Sequence, residues 1–144
     1  MKKYQFSFAD FKILQVNFSV NRGFTPPEKN ESVEIGSSIN IGHEEEANQL
    51  QVFLTVTFDS EHVPFDLSIE CVGLFTFNER LDEYEADFIE EIASVNCAAI
   101  IFPYLRETVA DLTRRAGFPP LHLPPVNFVE IFKRSKQSNK ESSI

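Results

Sequence analysis

The spacing of the apolar residues changes near residue 80 of this chain, and that change constrains the fold more than any other feature of the sequence. Before residue 80, apolar residues alternate with polar ones, most cleanly from Val52 to Phe58, which is typical of a strand with one buried face. After residue 80 they recur every three or four positions, which is typical of an amphipathic helix. Strands followed by helices predict an α+β domain.

The first half of the chain predicts strands. Their apolar runs cover residues 4–20, 33–41, 52–58 and 65–77. The alternation changes phase within the first run, which predicts a bulge near Asp10. A loop at 21–30 and a charged turn at 42–48 separate the first three runs. Because the runs are joined by short connections before any helix appears, we expect a four-stranded antiparallel sheet.

The second half predicts a long helix and shorter helices packed on one side of that sheet. Residues 81–94 predict an amphipathic helix with an acidic outer face, and residues 96–116 predict a longer helix. The apolar stripe of the longer helix consists of Ile101, Leu105, Val109, Leu112 and Ala116. Pro103 lies inside this pattern and predicts a kink or a place in the first turn. Gly117 stands just past the end, where a left-handed residue is common.

The next segment, GFPPLHLPPVNF (117–128), contains four prolines and can form neither a helix nor a central strand. We expect an extended loop, followed by a short helix whose start is capped by Asn127 and Glu130. The last residues are polar, which predicts a flexible end. We therefore expect a single domain over residues 1–134 and a flexible polar tail over residues 135–144.

Charge and composition exclude several classes of protein. The net charge is −9, whereas phosphate contacts need clustered Lys and Arg, so we expect no nucleic-acid partner. The start, MKKYQFSFAD, lacks the continuous apolar stretch of a secretion signal, and no apolar run is long enough to predict membrane insertion. The two cysteines form no CxxC pair. We expect a cytoplasmic protein.

The sequence offers no set of residues for catalysis. It contains no GxGxxG, GxxxxGK[ST], GxSxG or HExxH motif. His43 precedes three glutamates, but a solvated turn is favoured over a metal site, and His62 and His122 are isolated. Cys97 at a helix start could have a lowered thiol pKa, yet without a histidine partner a buried structural cysteine is favoured. We expect no enzyme, no metal and no cofactor.

The proline-rich segment is the unusual feature of the chain. It carries the apolar residues Phe118, Leu121, Leu123 and Val126 beside a helix that begins IFPYL. In one interpretation these side chains pack onto the sheet as core. In the other, the stiff loop is the wall of a groove that binds an extended peptide with little sequence specificity.

A family resemblance favours the second interpretation. The run NCAAIIFPYLRETVADLTRRAGFPPLHLPPVNFVEIF (96–132) closely resembles the signature region of the SecB family. The shared elements are a Cys that opens the long helix, FPY followed by an Arg, GFP at the helix end, L-x-L in the loop, and PVNF before the last helix. The first half resembles the family in outline, with Gly73-Leu74-Phe75 as its best anchor.

The resemblance implies a fold, a function and a site. It implies a SecB-like α+β fold and a homotetramer built as a dimer of dimers. The implied function is that of an ATP-independent holding chaperone, which keeps unfolded or partly folded client proteins competent for export and passes them to the translocase motor ATPase. Carried onto this chain, the client groove would be lined by Phe75, Phe77, Phe102, Tyr104, Phe118, Leu121, Leu123, Val126 and Phe128.

The resemblance leaves alternatives open. Export members present acidic residues that dock a basic tail of the motor, whereas the corresponding positions here, Asn17, Asn21 and Ser68, are neutral. A SecB-like chaperone dedicated to the antitoxin of a toxin–antitoxin pair is therefore the second hypothesis. A carrier that encloses an apolar small molecule is the third, and an enzyme is a distant fourth. We also expect Leu121→Asp with Leu123→Asp to weaken client binding and leave the fold intact.

Overall fold

The computed structural model describes residues 4–25, 37–58 and 63–142. These residues form the strands β1 (Phe6–Val20), β2 (Ser37–Glu46), β3 (Gln49–Phe58) and β4 (Phe65–Phe77). The strands make one antiparallel sheet in the order β1-β4-β3-β2. The predicted α+β class and four-stranded antiparallel sheet are confirmed, while the proposed apolar positions Val33 and Ile35, and His62, lie outside the described residues.

The bulge predicted near Asp10 is present. The register of β1 against β4 shifts between Phe8 and Asp10, and again between Ile13 and Gln15. Each extra residue reverses the side on which the following side chains point. As a result, the aromatic residues before and after each shift stay on the face of the sheet that carries the helices.

The helices follow one another almost without a break after β4. A 3₁₀ turn at Leu81–Glu83 precedes α1 (Ala86–Glu91), a π-helical segment (Ile92–Cys97) and α2 (Ala98–Arg115); α3 (Phe128–Ser142) comes after the loop. Instead of two separate helices, residues 86–115 thus form one continuous helical run. Pro103 lies within the second turn of α2, close behind the wide π turn.

That helical run is long and apolar enough to cross a membrane by length and composition alone, although the apolar runs in the sequence predicted no membrane insertion. In this fold, 44% of the most apolar 18-residue stretch of the run is buried inside the protein. A core helix packed against a sheet meets the same two criteria, so the run is weak support for a membrane span.

The core lies between the helices and the inner face of the two central strands. Every second residue of β3 is buried, and the inner residues of β4 from Phe65 to Phe77 are buried as well. Ile89, Ile101 and Leu105 cover them from the helix side. Each fully buried Leu, Ile or Phe side chain contributes roughly 1.5–3 kcal/mol to folding, so these two strands and α2 supply most of the hydrophobic stabilisation.

Two sequence-based predictions are wrong. The charged turn expected at 42–48 is mostly strand, because β2 continues to Glu46 in register with β3 and the chain turns only at Ala47 and Asn48. The polar end is helical as far as Ser142 rather than irregular. The end is held by the ion pair between Lys136 and Glu90, at 2.6 Å, which no local pattern reveals. The domain limit at residue 134 remains a prediction.

Candidate functional site

The crossover loop, residues 118–127, joins α2 to α3. Its start is fixed by Gly117, whose φ of 94° lies in the left-handed region as predicted, and by the bond from the Phe118 N–H to the Thr113 carbonyl at 3.1 Å. Its end is fixed by Asn127, whose side-chain oxygen accepts the Glu130 N–H at 3.1 Å and so caps α3 as predicted. Between these points the loop has no regular structure.

The loop borders two open pockets. One, of about 420 Å³, lies between the junction of the π-helical segment with α2 and the end of the loop, and is lined mainly by apolar side chains, including Val95, Val126 and Val129. The other, of about 520 Å³, lies between β1, the second half of α2 and the loop, and is lined by Ile13, Pro120 and mostly polar residues of α2. Both are depressions at the surface rather than enclosed cavities.

The predicted groove residues fall into two groups by burial. The buried ones are Phe75, Phe77, Phe102, Leu123 and Phe128. Phe118, Leu121 and Val126 are half-buried, and Tyr104 is 44% exposed. In the single subunit, the buried group therefore offers little surface to a client, and the nine-residue groove remains a prediction. Those five side chains complete the core because the sheet and the helices close over them.

The predicted aromatic residues contact different parts of the protein. Phe102 contacts Phe128, with ring centroids 5.7 Å apart, and Phe128 also lines the apolar pocket. Phe118 packs on Phe65 with centroids 5.5 Å apart, at the other end of the loop. Tyr104 instead stacks on Phe11 of β1, at 5.2 Å. The accessible parts of the predicted site are thus the half-buried loop residues with the apolar pocket and, separately, Tyr104.

Two further features were not singled out from the sequence. On β1, the side chains of Ile13, Leu14, Val16 and Val20 are between 42% and 48% exposed. In addition, Thr113 occupies a fully buried position of α2, where the predicted stripe had Leu112, which is only half-buried. The long apolar alternation of β1 is visible in the sequence. Its exposure follows from the position of β1 at the edge of the sheet, which only the strand order shows.

The sheet face that carries no helices holds two of the three neutral positions noted above, while Asn21 follows the end of β1. Asn17 and Ser68 are direct partners in the pairing of β1 with β4. Asp66 and Glu70 lie on the same face of β4, two residues to either side of Ser68. The face therefore keeps two carboxylates beside the neutral pair.

The cysteines and His43 lie in buried or half-buried surroundings. Burial raises the pKa of Cys97 to about 12 and that of Cys71 to about 11, so the idea of an activated Cys97 is wrong and the structural interpretation is confirmed. Cys97 also lies inside the helical run rather than at a free helix start. His43 lies within β2 and is half-buried, not in a solvated turn. In the ranges 4–25, 37–58 and 63–142, no group of three or more His, Cys, Asp or Glu residues could hold a metal ion.

Together these features define an α+β protein that exposes apolar surface on a proline-stiffened loop and on an edge strand. A sequence profile of the SecB family, described as preprotein translocase subunit SecB, matches residues 6–139. The chain therefore belongs to the SecB family, which confirms the resemblance.

Curated relatives agree with this assignment. The protein-export protein SecB of Nitrosomonas europaea is 40% identical over 95 residues, 64% of this chain and 56% of that protein. The protein-export protein SecB of Nitrosomonas eutropha is 37% identical over 109 residues, 74% of this chain and 65% of that protein. The matches thus span just over half to about two thirds of these relatives. An uncharacterized protein of Methanocaldococcus jannaschii is 26% identical over 98% of this chain.

A solved structure shares the fold. It is the SecB-like chaperone Rv1957 of Mycobacterium tuberculosis in complex with a peptide from the HigA1 antitoxin, and it superposes with a TM-score of 0.68. The alignment covers 84% of this chain and 90% of that one at 19% identity. At this identity the likeness establishes the SecB-like fold alone.

Proposed function

We propose that this protein is an ATP-independent holding chaperone, which binds unfolded polypeptide segments in the cytoplasm and keeps them competent for export. The observation that carries the proposal is the crossover loop of a SecB-family chain, which keeps Phe118, Leu121 and Val126 partly accessible beside an open apolar pocket. An extended segment with apolar side chains fits such a surface without sequence-specific contacts.

Weak contacts of this kind need several sites. A buried Leu or Phe contributes roughly 1.5–3 kcal/mol, while ordering a flexible client costs several kcal/mol. Two or three anchors at one loop therefore give little net affinity. Micromolar to nanomolar binding corresponds to about 8–12 kcal/mol, which a long client reaches by contacting several loops of one assembly.

The proposed assembly is a homotetramer, a dimer of dimers. Within the described ranges β1 pairs with β4 alone, so its other edge is unpaired over fifteen residues, and four of its apolar side chains are exposed. A long apolar edge of this kind is a template for pairing with another strand. A second copy of the chain that covers this edge would bury those side chains and bring two crossover loops into one particle.

The partner that receives the client is a separate question. Coupling to the translocase motor ATPase is one possibility, supported by the export relatives and by Asp66 and Glu70 on the open sheet face. A dedicated role toward an antitoxin is the other, supported by the neutral pair Asn17 and Ser68 and by the fold shared with a chaperone that binds an antitoxin peptide. A pull-down that recovers the motor supports the first, and an antitoxin recovered instead supports the second.

The proposal is tested by the aggregation of an unfolded reference protein. We expect the wild-type chain at a few-fold molar excess to suppress aggregation without ATP, and Leu121→Asp with Val126→Asp to lose most of this activity. The matched control is Gln51→Asp with Thr57→Asp, which adds the same two charges at exposed positions of the helix-free sheet face. Wild-type protein without any effect on aggregation would refute the proposal, as would equal loss of activity in the control.

A further inference from the structure

The crossover loop is attached to the body of the protein through very few backbone bonds. Between residues 119 and 126 there are four prolines, which have no N–H group to donate. Of the other backbone donors in this stretch, only the Leu121 N–H has a protein acceptor among the described residues, and that acceptor is the hydroxyl of Thr113 at 2.9 Å. The position of the loop above α2 therefore depends on this bond and on side-chain packing.

Thr113 bonds to the loop through both its side-chain hydroxyl and its backbone carbonyl. Its hydroxyl donates its one proton to the Val109 carbonyl at 2.9 Å, with the Ala110 carbonyl at 3.1 Å, so that a lone pair remains for the Leu121 N–H. Its own carbonyl accepts the Phe118 N–H. One residue of α2 thus holds the loop at positions 118 and 121.

A bond to the preceding turn of α2 alone does not explain why residue 113 is a threonine. Threonine in a helix often donates back to the carbonyl four residues before it, and this bond alone slightly weakens a helix. The side chain is fully buried, and it is the one buried polar or charged residue within the described part of the chain. Burying a hydroxyl is costly unless it is fully bonded, and valine would fill the same volume at less cost. The bond to Leu121 accounts for a threonine at this position.

We propose that Thr113 is a positioning residue that sets the distance between α2 and the crossover loop, and thereby the shape of the client-binding surface; this rests on the proposed function. The bond falls between Phe118 and Leu123, where the loop passes from its first pair of prolines to its second. Without this bond, the backbone of Leu121 is no longer attached to α2. Pro120 and His122, which line the pocket of about 520 Å³ together with Ile13, are then no longer held in position.

The test compares Thr113→Val, which removes the acceptor at nearly constant volume, with Thr113→Ser, which retains it. Hydrogen exchange is followed at the Leu121 and His122 amides, with β3 amides as the reference for global stability. In the wild type we expect the Leu121 amide to exchange at least tenfold more slowly than the exposed His122 amide. In Thr113→Val we expect Leu121 exchange to become at least tenfold faster, while β3 remains protected.

The second readout is the dissociation constant for an unfolded reference protein. We expect Thr113→Val to weaken binding about three- to tenfold and Thr113→Ser to bind within about twofold of the wild type. A merely structural threonine would change the exchange of β3 and of Leu121 together and would leave the affinity of the folded fraction unchanged. That pattern overturns the proposal.

Two further outcomes separate the possible failures. If the Leu121 amide of the wild type exchanges as fast as that of His122, the bond from Leu121 to Thr113 does not hold the loop, and the proposal is wrong. This measurement uses the wild type alone, so it is decisive even if Thr113→Val does not fold. If Leu121 is protected but the wild-type chain binds no unfolded protein, the proposed chaperone function fails, and the positioning role for clients fails with it. The two failures are distinguishable because failure of the chaperone function is seen in the binding assay of the wild-type protein, whereas absence of the anchor is seen in its hydrogen exchange.

Discussion

At the scale of single residues, close packing between β4 and α2 sets the strictest constraint. Gly73 of β4 lies directly beneath Ile101, and a Cβ atom at this position would overlap the Cγ2 methyl of Ile101 and lie 3.1 Å from a ring carbon of Phe75. Both neighbours are fully buried and cannot move into solvent. The glycine is thus needed for the close approach of helix and sheet rather than for an unusual backbone angle.

We predict that Gly73→Ala destabilises the protein by about 1–3 kcal/mol, because inserting a methyl group into a packed core forces its neighbours off their preferred rotamers. The free energy of unfolding in urea measures the effect. The control is Gly42→Ala on β2, where a Cβ atom has no neighbour within 4 Å. Equal stability of the two variants would show that α2 can shift away from the sheet without cost.

The two buried thiols predict a loss of stability at high pH. Their pKa values are raised to about 11 for Cys71 and about 12 for Cys97, while in the unfolded chain both ionise near their ordinary value of 9. Stability is therefore complete below about pH 9 and falls as the pH rises toward the folded-state values, by about 1.4 kcal/mol per thiol and pH unit.

Urea unfolding at pH 8 and pH 10.5 checks this prediction, and the expected loss from the two thiols is about 2–4 kcal/mol. The control is a double variant, Cys71→Val with Cys97→Ala, which shares all other titrating groups. The prediction is contradicted if the stability of this variant falls as steeply with pH as that of the wild type.

At the scale of elements, the crossover loop has two faces with different roles. Leu123 is only 4% exposed and belongs to the core, whereas Leu121 is half-buried. The paired substitution suggested by the sequence, Leu121→Asp with Leu123→Asp, is therefore not a clean test of binding. It would place one carboxylate in the core and the other near the surface.

We predict that Leu123→Asp alone destabilises the protein by at least about 3 kcal/mol, since it removes buried apolar surface and buries an unpaired charge. Leu121→Asp is expected to cost less than about 1.5 kcal/mol, because its side chain can turn toward water. Thermal unfolding of the two single variants distinguishes these values. Similar costs at both positions would mean that the whole loop is core.

The far end of α3 makes one long-range ion pair in the described structure. The Lys136 Nζ lies 2.6 Å from a Glu90 oxygen and 5.5 Å from the centroid of the Phe132 ring, and the bond to Glu90 raises the pKa of Lys136. Both partners are partly exposed, so that salt screens the attraction. The ion pair orients the end of α3 rather than stabilising the fold as a whole.

We predict that Lys136→Met, or salt above about 0.5 M, speeds the hydrogen exchange of α3 amides and leaves β3 and β4 unchanged. Lys133→Met is the control, since Lys133 is exposed and has no ion-pair partner among the described residues. Equal exchange rates of α3 in the two variants would show that packing of its apolar face alone holds the helix.

At the scale of the whole molecule, the uneven distribution of helices over the sheet determines which surface is left for assembly. The helices cover β3 and the adjoining part of β4, whereas the second half of β1 leaves four apolar side chains between 42% and 48% exposed. The edge of β1 is therefore where the proposed assembly would bring in a second copy of the chain.

We predict that Leu14→Lys with Val16→Lys converts the proposed tetramer into smaller species, because four charges at a two-fold interface repel one another and cannot be desolvated. Sedimentation or native mass spectrometry measures the change. The control is Asn17→Lys, on the same strand but on the opposite face of the sheet. If the wild type is a monomer at micromolar concentration, the assembly proposal is wrong.

The sequence by itself determined the fold class, the family and most of the elements. Alternation of period two and period three to four separates strands from helices because each element must bury one face, and this holds whatever the element packs against. Local chemistry was also sufficient for the turn at Gly117 and the cap at Asn127, since both involve bonds within a few residues. The uncommon order of motifs in residues 96–132 pointed correctly to the SecB family.

Only the tertiary structure decided which apolar residues are covered. Phe75, Phe128 and Leu123 are core while Val16 and Tyr104 are exposed, although all five belong to equally apolar patterns. The reason is that burial depends on which element lies opposite, and this is fixed by strand order and helix placement rather than by local sequence. The same holds for Thr113, whose polar side chain becomes an anchor only because the crossover loop returns across α2 and brings the Leu121 N–H to it.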